Sequence, residues 1–220
     1  MARHTEPVAV IGLGRFGTAL ALELAREGTE VLAVDRRPEI VQRMSGRLGQ
    51  VVVADSTDLE ALREIGLADF QRVVVAIGTD LEASILTTAL LAELGVPDVW
   101  VKALTSQHAR ILERIGAHHV VFPGLEMGER VAHLVSGRLL DWVEVDEEWV
   151  FARTKPPREL VGVPLGRSGV RARHRVTVVS VKPQGSDRWT HADTETVLSY
   201  GCEIVLAGRP ADVERFVDRP

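Results

Sequence analysis

Apolar residues in the first two-thirds of the chain fall in short unbroken runs, separated by segments with helical spacing. The runs are Val8–Ile11, Val31–Val34, Val51–Ala54, Val73–Ile77, Val99–Val101 and His119–Phe122. Runs of Val and Ile without polar alternation suit strands buried on both faces. Between them, Phe16 to Glu27 has helical spacing and stops at Gly28, and Pro38 suits the first turn of a helix reaching about Leu48. Thr57-Asp-Leu-Glu60 and Thr79-Asp-Leu-Glu82 read as capping boxes, the first helix closing at Gly66, and Gln107–Ile115 is a further helix. Alternation through six strands predicts the α/β class, with a Rossmann doubly wound parallel sheet covered on both faces.

After Phe122 the rhythm changes. Pro123 and Gly124 interrupt it, and Glu126 to Leu140 reads as one amphipathic helix. Beyond lie four strand-like stretches, Trp142–Val145, Val150–Arg153, Val176–Val181 and Glu203–Leu206, with only short helical stretches between them and Pro156-Pro157 and Arg171–Arg175 in connections. The pattern predicts a Rossmann domain over residues 1–140, that helix included, and a smaller α+β domain over 141–220.

Composition sharpens the class. Hydrophobic content of 45% and charged content of 26% are ordinary for a soluble globular protein. A net charge of -5 supplies no general attraction for nucleic acid, so no such partner is expected. The single cysteine, Cys202, cannot pair within the chain, which suits a reducing cytosol. Met1 to Glu6 leads straight into a strand, so no signal peptide is expected, and no apolar run approaches the roughly 18 residues of a membrane span.

Chemistry concentrates at the strand ends. Gly12-Leu-Gly-Arg-Phe-Gly17 has the G-x-G-x-x-G pattern, with a strand before it and a helix after. Such glycines permit a tight turn, close backbone approach to a phosphate and close helix–sheet packing, while the helix N-terminus offers N–H groups to the anion. Asp35 ends the second strand, near the spacing of about 20 residues expected of an acid that binds ribose hydroxyls. It would repel a 2′-phosphate, which disfavours NADP despite Arg36 and Arg37. Arg15 places a cation in the first turn of a helix, where it opposes the dipole unless an anion lies nearby, and terminal phosphates of ADP or ATP would supply one. Asp55, Ser56 and Thr57 end the third strand on the adenine side. There Thr57 suits a cap, while Asp55, with no capping duty, is free to reach adenine or ribose. Ile77-Gly78-Thr79 ends the fourth strand at the switch-point crevice, where backbone can approach a ligand, and Lys102 ends the fifth at the same sheet edge.

Other chemistries lack their motifs. No C-x-x-C, H-E-x-x-H or G-K-[ST] occurs, and no metal site is expected. His118 and His119 point to opposite faces of a strand, and His108, His174 and His191 read as surface or loop residues. A nucleotide site without catalytic partners suggests a sensor rather than an enzyme. The rival readings are an NAD(H)-binding redox sensor and a small NAD-dependent oxidoreductase.

Several segments together resemble the RCK (KTN) regulators of potassium transport. They are Val8 to Gly17, Val31 to Asp35, Ala54 to Thr57, Val74 to Gly78, Val99 to Ala103, Leu112 to Ala117 and Pro123 to Gly128. The later segments and Arg15 are most similar to the KtrA branch. The resemblance implies a cytoplasmic regulator that binds ATP and ADP, or NAD and NADH in TrkA-like members. It implies homodimers built into an octameric ring beneath a membrane potassium pore of the KtrB or TrkH kind. It further implies that Arg15 reaches a terminal phosphate, and that the helix from Glu126 clasps the dimer partner; its apolar positions Met127, Val131, Leu134 and Val135 fit such an interface and equally fit packing on the chain's own core. Related C-terminal domains bind cyclic di-AMP, and Arg171, Arg173, His174 and Arg175 lie near the corresponding stretch. Gly124 stands where KtrA-like chains often carry an acid that holds a cation, so no metal is expected between nucleotides.

Overall fold

In the computed structural model, which describes residues 6–135 and 139–218, each apolar run of the first half is a strand. The order is β1 (Val8–Ile11), α1 (Arg15–Arg26), β2 (Val31–Asp35), α2 (Pro38–Met44), β3 (Gln50–Val53), α3 (Leu59–Glu64) and β4 (Arg72–Val75). Then come α4 (Leu81–Glu93), β5 (Asp98–Lys102), α5 (Ser106–Arg114), β6 (His119–Val121) and α6 (Pro123–Val135). The six strands make one parallel sheet in the order β3-β2-β1-β4-β5-β6. Winding reverses between β1 and β4, and the loops leaving their C-terminal ends part to opposite faces, which opens a crevice there.

Alternate residues of the same strands feed two cores. Ala9, Ile11, Val73, Val75 and Val99 pack with Leu62, Leu91 and Leu112 of α3, α4 and α5. Val8, Val10, Val31 and Ala33 pack with Ala21, Ile40 and Met44 of α1 and α2. This two-sided burial explains why the strands lack polar alternation.

Local details differ from the expected pattern. The helix after β2 ends at Met44 rather than near Leu48, and Leu48 is buried beyond it. Thr57 and Thr79 are not helix caps. Asp58 accepts the Glu60 N–H at 2.9 Å, and Asp80 accepts the Ala83 N–H at 3.0 Å. An ionised carboxylate is the stronger acceptor and complements the positive helix end, so aspartate takes the cap from the preceding threonine. Pro123 opens α6 rather than breaking the chain, as its fixed φ and missing N–H allow. Residues 136–138 of the expected Glu126–Leu140 helix lie outside the described residues, and Leu139 and Leu140 are not helical.

The chain divides into two compact units, Met1–Gly124 and Leu125–Pro220. Most of α6 therefore goes with the second unit, whereas the sequence pattern put the change after residue 140. The rest of that unit is β7 (Asp141–Asp146), β8 (Trp149–Thr154), α7 (Leu165–Ser168), α8 (Val170–His174), β9 (Thr177–Lys182), β10 (Thr190–His191), β11 (Glu203–Gly208) and α9 (Pro210–Val217). Its strands form an antiparallel sheet, β10-β9-β11-β8-β7. One face buries Val150, Ala152, Ile204 and Leu206 against Leu160, Val170, Val213 and Phe216. Cys202 lies buried there too, and burial pushes its thiol up from the ordinary value.

Two histidines expected on the surface are inside. His174 sits edge-on to Phe216, with ring centroids 5.5 Å apart, and its Nε2 lies 3.6 Å from the Glu159 carboxylate. His108 is 4% exposed, because the inward face of α5 that carries Ala109 and Leu112 also carries this ring. Neither ring nitrogen of His108 has a hydrogen-bond partner among the described residues. Burial lowers its pKa from the usual 6.5, so as pH falls below that value the unfolded chain takes up the proton before the folded protein does. Its contribution to stability is complete above about pH 6.5 and declines as pH falls below that. Urea midpoints at about pH 5 and about pH 7.5 should therefore differ less in His108→Leu than in the parent chain; an unchanged difference would contradict the assignment.

Candidate functional site

A cleft of about 450 Å³ opens at the C-terminal edge of the parallel sheet, over the β1/β4 crevice. Of the residues singled out for this site, Gly12, Gly14, Arg15, Phe16, Asp35, Arg36, Asp55, Ser56, Ile77, Gly78 and Lys102 line it. Gly17 and Thr57 do not. Thr79, expected at this crevice with Ile77 and Gly78, lines it as well; sequence reasoning left Asp80 and Leu104 out of the site, and it noted Arg37 only as an argument about NADP.

The three glycines have different causes. Gly12 has φ +94°, a left-handed conformation that side chains rarely adopt. Gly17 is buried under the turn, where a Cβ would fall 1.9 Å from the Gly12 carbonyl oxygen and 2.9 Å from the Ala76 Cβ. Gly14 has ordinary backbone angles, and a Cβ there would meet nothing within 4 Å. The fold requires Gly12 and Gly17, whereas Gly14 only keeps space open. It does so at the N-terminus of α1, which has no side-chain cap and no acid in its first turn. Uncapped N–H groups facing open space make an anion cradle.

Two cations border this end. Arg15 is exposed in the first turn of α1, with no ion-pair partner among the described residues. Lys102 reaches from the end of β5 over Gly78, where a Cβ would lie 2.7 Å from its Nζ, and stands 5.8 Å from the Phe16 ring centroid. It too has no ion pair among the described residues.

The acids of the cleft are all engaged. Asp35 is buried at the end of β2; its Oδ2 accepts the Leu13 N–H at 2.8 Å and the Arg37 Nη2 at 3.1 Å. Its Oδ1 accepts the backbone N–H and the Nε of Arg37, both at 3.0 Å. Burial opposes ionisation most strongly, yet the Arg37 guanidinium and the backbone N–H groups of Arg37 and Leu13 outweigh it. The carboxyl is therefore held below its ordinary value. Asp55 has a local duty after all. It accepts the Thr57 hydroxyl at 2.7 Å and the Thr57 N–H at 3.0 Å, and these bonds hold its pKa down. Asp80, the cap of α4, pairs with Arg36 at 3.1 Å. Buried Ser56 shares a 2.8 Å hydrogen bond with Thr87, fixing the loop after β3 to α4.

The second basic group is dispersed. His174 is buried, the Arg173 guanidinium turns back to the Ser168 carbonyl, and Arg171 donates to the Thr177 hydroxyl at 3.1 Å. Arg175 is exposed, with φ 58°. No group of three or more potential metal ligands is found among the described residues. No described helix is long and apolar enough to cross a membrane.

The pattern of the TrkA-N domain matches residues 8–123, the parallel-sheet unit with this cleft. The chain belongs to the TrkA-N family. Full-length similarity places it with the Ktr potassium uptake proteins. It is 37% identical over 212 residues to Ktr system potassium uptake protein C of Bacillus subtilis (strain 168), covering 96% of each chain. It is 37% identical over 201 residues to Ktr system potassium uptake protein A of Vibrio alginolyticus, covering 91% of each. Among solved structures, the GsuK RCK domain superposes with a TM-score of 0.65 at 18% identity, spanning all of this chain and 49% of that one. The GsuK channel bound to NAD gives 0.66 at 18% identity, spanning all of this chain and 41% of that one. At such identity these structures establish the RCK fold of both units in this TrkA-N protein.

The glycine geometry yields a contrast measurable by urea denaturation. Gly17→Ala should cost about 3 kcal/mol or more, because backbone cannot yield to the added methyl. Gly14→Ala should cost less than about 1 kcal/mol, the ordinary cost of a poorer cap. Equal losses would contradict the separate roles of the two glycines.

Proposed function

We propose that this chain is the nucleotide-sensing regulatory subunit of a Ktr-type potassium uptake system. It binds ATP or ADP in the β1/β4 cleft and converts that occupancy into gating of a membrane potassium-pore partner. One observation carries the reading: the phosphate end combines an uncapped helix N-terminus, the open space beside Gly14, and two cations, Arg15 and Lys102, without acidic partners among the described residues. Positive potential left uncompensated within the protein suits a polyanion supplied from outside. The Ktr relatives supply the physiological setting.

Occupancy rather than turnover is the output. Asp35, Asp55 and Asp80 each already hold local donors or a neighbouring guanidinium, so these acids shape the cleft. Signalling requires that two conformations of the assembly bind ATP and ADP with different affinity, since a ligand that binds both equally shifts nothing. The assembly is a homodimer that builds a ring, cytoplasmic and held at the membrane by its pore partner. Exposed Met127 and Val131 on α6, one helical turn apart, support the helix as a dimer contact. A dianionic second ligand such as cyclic di-AMP would meet Arg171 and Arg175 on α8 and its end, without buried His174.

NAD or NADH is the second reading. An acid at the end of β2 is the feature that favours it, and GsuK, of the same fold, has been solved with NAD.

Arg15 separates the adenine nucleotides. Arg15→Ala should weaken ATP by about tenfold and ADP by much less, as loss of a charged hydrogen bond to the terminal phosphate entails. Titration calorimetry measures both, and equal losses would contradict the assignment of Arg15 to the γ-phosphate.

A further inference from the structure

Asp35 would bind the ribose of an adenine nucleotide, yet its carboxylate is already full. An ionised carboxylate offers about four lone-pair positions. Four donors take them: the Leu13 N–H, the Arg37 N–H, and the Nε and Nη2 of Arg37. The first two are backbone groups set by the glycine turn and the start of α2. The other two belong to one movable side chain.

That side chain borders the cleft beside the carboxylate. The Asp35 side chain is 4% exposed and that of Arg37 is 50% exposed, and both residues line the cavity. The guanidinium presents two parallel N–H donors, one to each oxygen, at 3.0 and 3.1 Å. A ribose diol likewise presents two adjacent O–H donors to one carboxylate. The two groups therefore need the same pair of acceptor positions.

We propose that Arg37 is a specificity-determining residue of this site: its guanidinium occupies Asp35 in place of the ribose diol, and a ribonucleotide must displace it to bind. The inference rests on the adenine-nucleotide reading above. Its consequence is a weakened preference for ligands with both ribose hydroxyls, because only those ligands compete with Arg37. The apparent affinity of a site is reduced by the fraction of time it spends in its competent form. Arg37 thereby shifts the working range of the sensor to higher nucleotide concentration. The guanidinium of neighbouring Arg36 pairs with Asp80 instead.

Titration calorimetry on the full chain tests this with ATP and 2′,3′-dideoxy-ATP, which carry the same phosphates and charge. The ratio of their affinities cancels the general electrostatic effect of removing a cation. In Arg37→Ala the preference for ATP over 2′,3′-dideoxy-ATP should rise by about fivefold, matching a half-exposed ion pair of about 1 kcal/mol. Arg37→Lys, which keeps the charge but lacks the planar fork, should give a smaller rise. A preference that is unchanged or lower in the variants overturns the role of Arg37 while leaving nucleotide binding intact. Failure of the parent chain to bind either nucleotide overturns the adenine-nucleotide reading and this inference with it.

Discussion

The close seating of α1 on the sheet is the constraint from which the site follows. Gly17 lies so near the Gly12 carbonyl and Ala76 that no side chain fits between helix and strand ends. This contact sets the helix N-terminus over the reversal between β1 and β4, where sheet topology already opens a crevice. Arg15 and Gly14 gain their positions from it. Asp35 completes the arrangement by accepting the Leu13 N–H, so the acid at the end of β2 also braces the glycine turn.

Charge in the cleft is divided by occupancy as well as by sign. Its carboxylates are tied to local donors or arginines, whereas Arg15 and Lys102 have no ion pair among the described residues. A catalytic site commonly keeps an acid or base poised to exchange protons with a reactant. Here the open valence is electrostatic and faces the anion cradle. Such a site suits recognition of a polyphosphate, and recognition becomes a signal only through conformations that bind the ligand unequally.

The parallel sheet was legible because burial on both faces leaves unbroken apolar runs, and the glycine motif was legible because backbone geometry restricts residue type. The second unit was less so. Its four longer strands emerged, and short helical stretches between them were expected, but the bounds of α7 and α8, the two-residue β10 and the final α9 were not, being too short for a sustained period. Choices among neighbouring polar residues were harder still. Asp58 and Asp80 displaced the threonines as caps, and Asp55 proved bound to Thr57, because acceptor strength over a few ångströms decides such contests. His108 and His174 gave no warning of burial, since one helix face decides it for His108 and packing against distant Phe216 for His174. The engagement of Asp35 by Arg37 was hidden for a similar reason. The pair is adjacent in sequence, but which guanidinium, Arg36 or Arg37, turns inward depends on where α2 begins and where Asp80 stands.

The central claim is that the cleft senses an adenine nucleotide. A thermal-shift comparison of ATP, ADP, NAD and NADH at equal concentration tests it most directly, because a ligand that binds only the native state raises apparent stability with occupancy. The account predicts that ATP and ADP both raise the melting temperature, by different amounts, and that each does so more than NAD or NADH. Stabilisation by NAD or NADH alone, or by none of the four, would contradict it.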